Sequence, residues 1–115
     1  MLPHYFYTLD DTGSPVPCND LAEWSRWYVK NKKRRTIGRT NLQELGTVST
    51  IFLAVDHGYG FQDPLRYKPV LWETMVFGGP LDQYQRRYTS QEEAWQDHKR
   101  IVSALKTQGS YAMAT

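Results

Sequence analysis

VSTIFLAVDH, residues 48–57, is the stretch on which the fold turns. Side chains alternate along a strand, so Ile51, Leu53 and Val55 point one way and Phe52 and Ala54 the other. Both faces are apolar, which places this strand inside a sheet rather than at its edge. Residues 70–77, VLWETMVF, read as a second central strand, ended by Gly78, Gly79 and Pro80. Residues 58–64 between them form a loop by their Gly and Pro content, and residues 83–88 read as a short strand after a turn.

Outward from these strands, residues 4–9 (HYFYTL) form an aromatic strand that breaks at Asp10, Asp11, Thr12 and Gly13. Pro15 and Pro17 keep the next stretch extended and out of a central strand. Asn19 or Asp20 caps a helix over residues 20–30, with Glu23 in capping-box spacing from Asp20 and Leu21, Trp24 and Tyr28 on one face. Residues 32–39 carry charge on both faces up to Arg35 and read as an edge strand. Ser90 and Glu93 open a last helix over residues 90–106, with an apolar stripe of Ala94, Trp95, Ile101, Val102 and Leu105 that includes His98. Gly109 ends it, leaving residues 110–115 as a frayed tail. Short connections between the later strands favour an antiparallel meander. The expectation is one α+β domain over residues 1–109, a two-layer sandwich in which a four- to five-stranded antiparallel sheet is packed by two helices.

Charge narrows the function classes. The chain of 115 residues has 14 Lys and Arg against 12 Asp and Glu, a net charge of +2. Residues 24–43 hold no acid and seven bases (Arg26, Lys30, Lys32, Lys33, Arg34, Arg35 and Arg39), so this segment is +7 and the remainder −5. An aromatic content of 14% argues against a disordered chain. The single cysteine, Cys18, allows no internal disulfide and fits a reducing compartment. The first residues have neither a basic nor an apolar leader region, and no apolar run is long enough to span a bilayer, so a cytoplasmic domain without a membrane partner is expected.

Motifs for chemistry are sparse. No G-x-S-x-G, G-x-x-x-x-G-K or C-x-x-C occurs, so no cofactor and no Ser or Cys nucleophile is indicated. Asp56 and His57 stand where the central strand enters the Gly-rich loop, but alternation starts their side chains on opposite faces. The structural reading has Asp56 capping the loop through backbone amides and His57 closing the core edge. Glu73 shares a face with Leu71, Met75 and Phe77, which calls for a partner such as Arg86, Arg87 or His98. The functional readings make Asp56, His57 and Glu73 a small hydrolytic site, or His57, Glu73 and His98 a metal site, though no H-E-x-x-H spacing supports a metal. As a core residue, His98 needs satisfied ring nitrogens. Arg86 and Arg87, or the basic edge at residues 32–39, could instead hold the phosphate of a nucleotide ligand, with a Trp or Tyr on the base, in an arrangement that usually needs a homo-oligomer.

The runs VSTIFLAVDH, ETMVFGG and RYTSQEEAW, with D-D-x-G-x-P-V-P and D-L-x-E-W-x-R-W in the front part, resemble a group of small bacteriophage- and prophage-encoded proteins of no assigned activity. The resemblance spans residues 4–105 and implies a phage origin and one compact domain; it carries over no catalytic residue. It implies an accessory protein in the cytoplasm of an infected bacterium that acts by binding, as an inhibitor or modulator of a host protein or defence complex. The partner surface expected from the residues joins the basic edge (Lys32, Lys33, Arg34, Arg35, Arg39) to the loop carrying Tyr59, Phe61, Arg66 and Tyr67. Nucleic acid is the alternative partner for the same bases, through phosphate contacts and stacking.

Overall fold

A computed structural model of the chain describes residues 5–58, 63 and 65–114. The elements run β1 (Tyr7–Leu9), β2 (Pro15–Pro17), α1 (Leu21–Lys30), α2 (Lys32–Arg35), β3 (Thr36–Asn41), β4 (Thr47–Phe52), β5 (Trp72–Phe77), β6 (Gln85–Tyr88) and α3 (Gln91–Ala114), with a 3₁₀ turn at Gln43–Leu45 before β4. β3, β4, β5 and β6 form a four-stranded antiparallel sheet in chain order, and β1 pairs with β2 in a separate two-stranded ribbon. With helices packed on the sheet this is the expected α+β sandwich.

The two central strands are shorter than their apolar patterns. β4 stops at Phe52 because Ala54 adopts φ 62°, in the left-handed region that ends strand pairing. The chain beyond it turns to the ribbon: Tyr7 N donates to Ala54 O at 2.9 Å, Phe6 bridges Val55, and Asp56 N donates to Tyr5 O. Trp24 of α1 locks the junction, its indole N–H shared between the carbonyls of Tyr7 and Ala54. α1 begins where the capping residues indicated, with Asp20 accepting from the amides of Ala22 and Glu23.

Residues 32–35 are a correction. They form one helical turn, α2, and the edge strand starts only at Thr36. Lysine and arginine are good helix formers, and a strand here would have put charge on both faces. Two arginines are also held by the ribbon and α1: Arg34 donates to Asp10 O, and Arg35 Nε donates to Tyr28 O at 3.0 Å. At the other end α3 passes through Gly109 to Ala114. A single glycine costs a helix about 1 kcal/mol, which need not end it.

The core lies between the sheet and α3 and is divided in two. One apolar cluster holds Tyr7, Leu9, Phe52, Ala54, Leu71, Trp72, Tyr88 and Ala94, with Trp24, Trp27, Tyr28 and Ile37 packed against it. The other holds Val48, Val76, Ile101 and Leu105. Between them, at the middle register of the sheet, sits a polar layer: Thr50 pairs with Thr74, and His98 of α3 lies against both strands.

Candidate functional site

The basic segment resolves into separate roles once α2 is a helical turn. Arg34 is spent on the Asp10 carbonyl. The Arg35 guanidinium lies 3.6 Å from the centre of the Tyr28 ring, and Trp24 stacks on Tyr28 at 5.0 Å, so the tyrosine is occupied near both its neighbours and the guanidinium is fixed in place. Lys32, Arg35 and Arg39 line one cleft of about 640 Å³ on the face of the sheet away from α3, floored by Ser49 and Ile51. Among the described residues no carboxylate lines it. Lys33 is exposed outside the lining. Three cations on one concave surface are an anion site by elementary electrostatics, and the stacked arginine reaches it with little entropy left to lose.

The sequence candidates beyond this segment are scattered. Arg66 is exposed in a turn closed by its amide onto Asp63 O, and Tyr67 is half-buried with its hydroxyl enclosed; neither lines the basic cleft. Tyr59 and Phe61 lie outside the described residues. Arg86 and Arg87 do not form one phosphate grip, because strand alternation sends them to opposite faces of β6. Arg86 faces α3, 3.8 Å from Asp97, whereas Arg87 faces away and donates from Nε to Glu73 at 2.9 Å.

Asp56, His57 and Glu73 are likewise not brought together. Asp56 is buried, and its Oδ1 accepts from Gly58 N at 2.8 Å and Val70 N at 2.9 Å, clamping both ends of the intervening loop. His57 is exposed instead of closing the core edge; the Gly-rich loop takes over from the strand pattern at that residue. Glu73 is buried on the face away from α3, where Arg87 and Gln85 (2.6 Å) both donate to its Oε2. The carboxylate is thus a cross-strand structural partner. His98 sits on the opposite face of the sheet from Glu73, and among the described residues no group of three or more His, Cys, Asp or Glu is placed to hold a metal.

The polar layer under α3 is the feature that the sequence reading left unconnected. Thr40 Oγ1 lies 2.9 Å from His98 Nε2, Thr50 Oγ1 lies 2.8 Å from His98 Nδ1, and Thr50 and Thr74 are 2.6 Å apart. The Tyr88 hydroxyl donates to Asp97 Oδ2. Asp97 also accepts from Arg100 Nε at 2.7 Å. Burial pushes the Asp97 carboxyl up, but the Tyr88 and Arg100 hydrogen bonds outweigh it and hold the group below the usual range. The ionised carboxylate can only accept, so the Tyr88 hydroxyl hydrogen points at Asp97. A neutral His98 ring donates from one nitrogen and accepts at the other, and a threonine hydroxyl stands at each. Burial lowers the His98 pKa, which favours this neutral ring.

A second cleft, about 380 Å³, opens at the Thr40 end of this chain between β3 and α3. Trp95, Lys99, Ser103 and Lys106 line it with Thr40 and His98. Gly38 makes room for it: a Cβ there would meet the Trp95 ring at 2.5 Å. Against known proteins, the chain matches no family model, no curated protein and no solved structure.

Proposed function

We propose that the chain is a non-enzymatic binding protein, a phage accessory protein that inhibits or modulates a host factor in the bacterial cytoplasm by taking an anionic part of it at the basic cleft beside β3. The observation that carries this reading is the cleft itself: Lys32, Arg35 and Arg39 converge on one concavity with no acid in its lining among the described residues. The dispersal of Asp56, His57 and Glu73 removes the constellation on which a hydrolytic reading rested, and each of the two carboxylates already has a structural task. Phage setting and host target come from the sequence resemblance.

The test is a phage plating assay in bacteria that carry a defence system and express the chain. The wild-type chain raises plating efficiency, the double variant Lys32→Glu, Arg39→Glu loses that effect, and Glu73→Gln keeps it. Full activity of the double variant, or loss of activity only in Glu73→Gln, contradicts the reading.

A further inference from the structure

We propose that the rim of the sheet around β3 binds double-stranded nucleic acid, with β3 along a groove and the clefts on its two sides taking the two phosphodiester backbones. This rests on the reading of the basic cleft as the binding surface and adds the chemistry of the partner.

Alternation puts Arg39 and Thr40 on opposite faces of one edge strand. Arg39 opens on the first cleft with Lys32 and Arg35; Thr40 opens on the second, where α3 contributes Lys99 and Lys106. The basic segment of the sequence supplies only the first group, and folding brings the second to the other side of the same strand. Among the described residues no carboxylate lines either cleft. Besides these bases the linings hold the hydroxyls of Thr36, Ser49, Thr40, Ser103 and Thr107. Lysine, arginine, serine and threonine are the side chains that contact phosphate oxygens, whereas a protein interface needs large apolar anchors at its centre. Of the large rings in the linings, Tyr28 is packed between Trp24 and Arg35, and Trp95, 40% exposed, is stacked on His98 with the Lys99 ammonium over it.

The placement also separates duplex from single strand. A single strand wants one continuous groove with stacking platforms. Here the cations lie on both sides of one edge strand, Lys32, Arg35 and Arg39 on one and Lys99 and Lys106 of α3 on the other. A DNA major groove, roughly 12 Å wide, admits β structure with a phosphate backbone on either side.

Fluorescence anisotropy of the full chain with a short labelled DNA duplex, and with one of its strands alone, tests this over a series of salt concentrations. If all five bases reach phosphates, the log–log slope for the duplex is about −4.5, at about −0.9 per contact. Lys32→Glu with Arg39→Glu, and separately Lys99→Glu with Lys106→Glu, each make the slope shallower by about two. All four residues are exposed, so the variants should melt like the wild type. Arg26→Glu, in the same basic segment but outside both clefts, leaves the slope unchanged. Absence of duplex binding at low salt, tighter binding to the single strand, or dependence on only one of the two pairs overturns the proposal. Loss of the plating effect in Lys32→Glu, Arg39→Glu without any duplex binding overturns it while leaving the basic cleft as the functional surface.

Discussion

His98 lies between Thr40 and Thr50, whose hydroxyls sit 2.9 Å and 2.8 Å from its two ring nitrogens, and the Tyr88 hydroxyl donates to the buried Asp97. Nitrogen-15 shifts of the ring should show a neutral imidazole at neutral pH, and Tyr88→Phe should cost about 1–3 kcal/mol, since it leaves the buried Asp97 short of a donor. A pH dependence follows as well. The His98 pKa in the fold lies below the ordinary 6.5, so the unfolded chain binds the proton more readily. Stability from this residue is therefore complete above about pH 6.5 and declines as pH falls toward the folded value, by at most about 1.4 kcal/mol per unit. Urea melts between neutral and mildly acidic pH should show that slope, and His98→Gln should flatten it. Of these residues the sequence showed His98 on the packed stripe and Glu73 in need of a base. It could not show the threonine pairing, because Thr50 and Thr74 meet only through a cross-strand register that no single segment encodes.

At the scale of elements, both central strands were legible from two-sided apolar alternation, and both were overextended by it. What shortened β4 was the left-handed Ala54, a conformation alanine does not favour and that its carbonyl's hydrogen bonds to Tyr7 and Trp24 hold in place. The helical turn α2 was misread for a related reason: charge on both faces excludes a buried strand but does not choose between an edge strand and a helix. The turns that hold the sheet together are stricter than their sequence suggests. Gly79 has φ 71°, and a Cβ on it would lie 2.1 Å from Leu45 O, so the turn before β6 rests backbone to backbone on the turn before β4. Gly79→Ala should cost about 2–4 kcal/mol, combining left-handed strain with a clash that no side chain can relieve. Gly13 has φ 85° but open space around it, so Gly13→Ala should cost only about 1 kcal/mol. Similar losses for the two variants in thermal melts would contradict the close approach of the turns.

Taken whole, the molecule concentrates its charge more sharply than the sequence does. The +7 segment was plain in the chain, yet Arg34 is committed to the ribbon, Arg35 is held over Tyr28 at the cleft, and Lys99 and Lys106, outside the segment, line the cleft on the other side of β3. Arg66 with Tyr67 and the pair Arg86 and Arg87 fall elsewhere, which sequence proximity and charge could not reveal. The central claim is that the rim around β3 is where this protein meets an anionic partner. Amide chemical-shift mapping of the nitrogen-15-labelled chain, titrated with the DNA duplex, tests it most directly. Shifts should concentrate in residues 32–40 and 95–107, with Asp56, Glu73 and residues 85–88 still. Shifts centred on residues 63–67 or 85–88, or none at low salt, would contradict it.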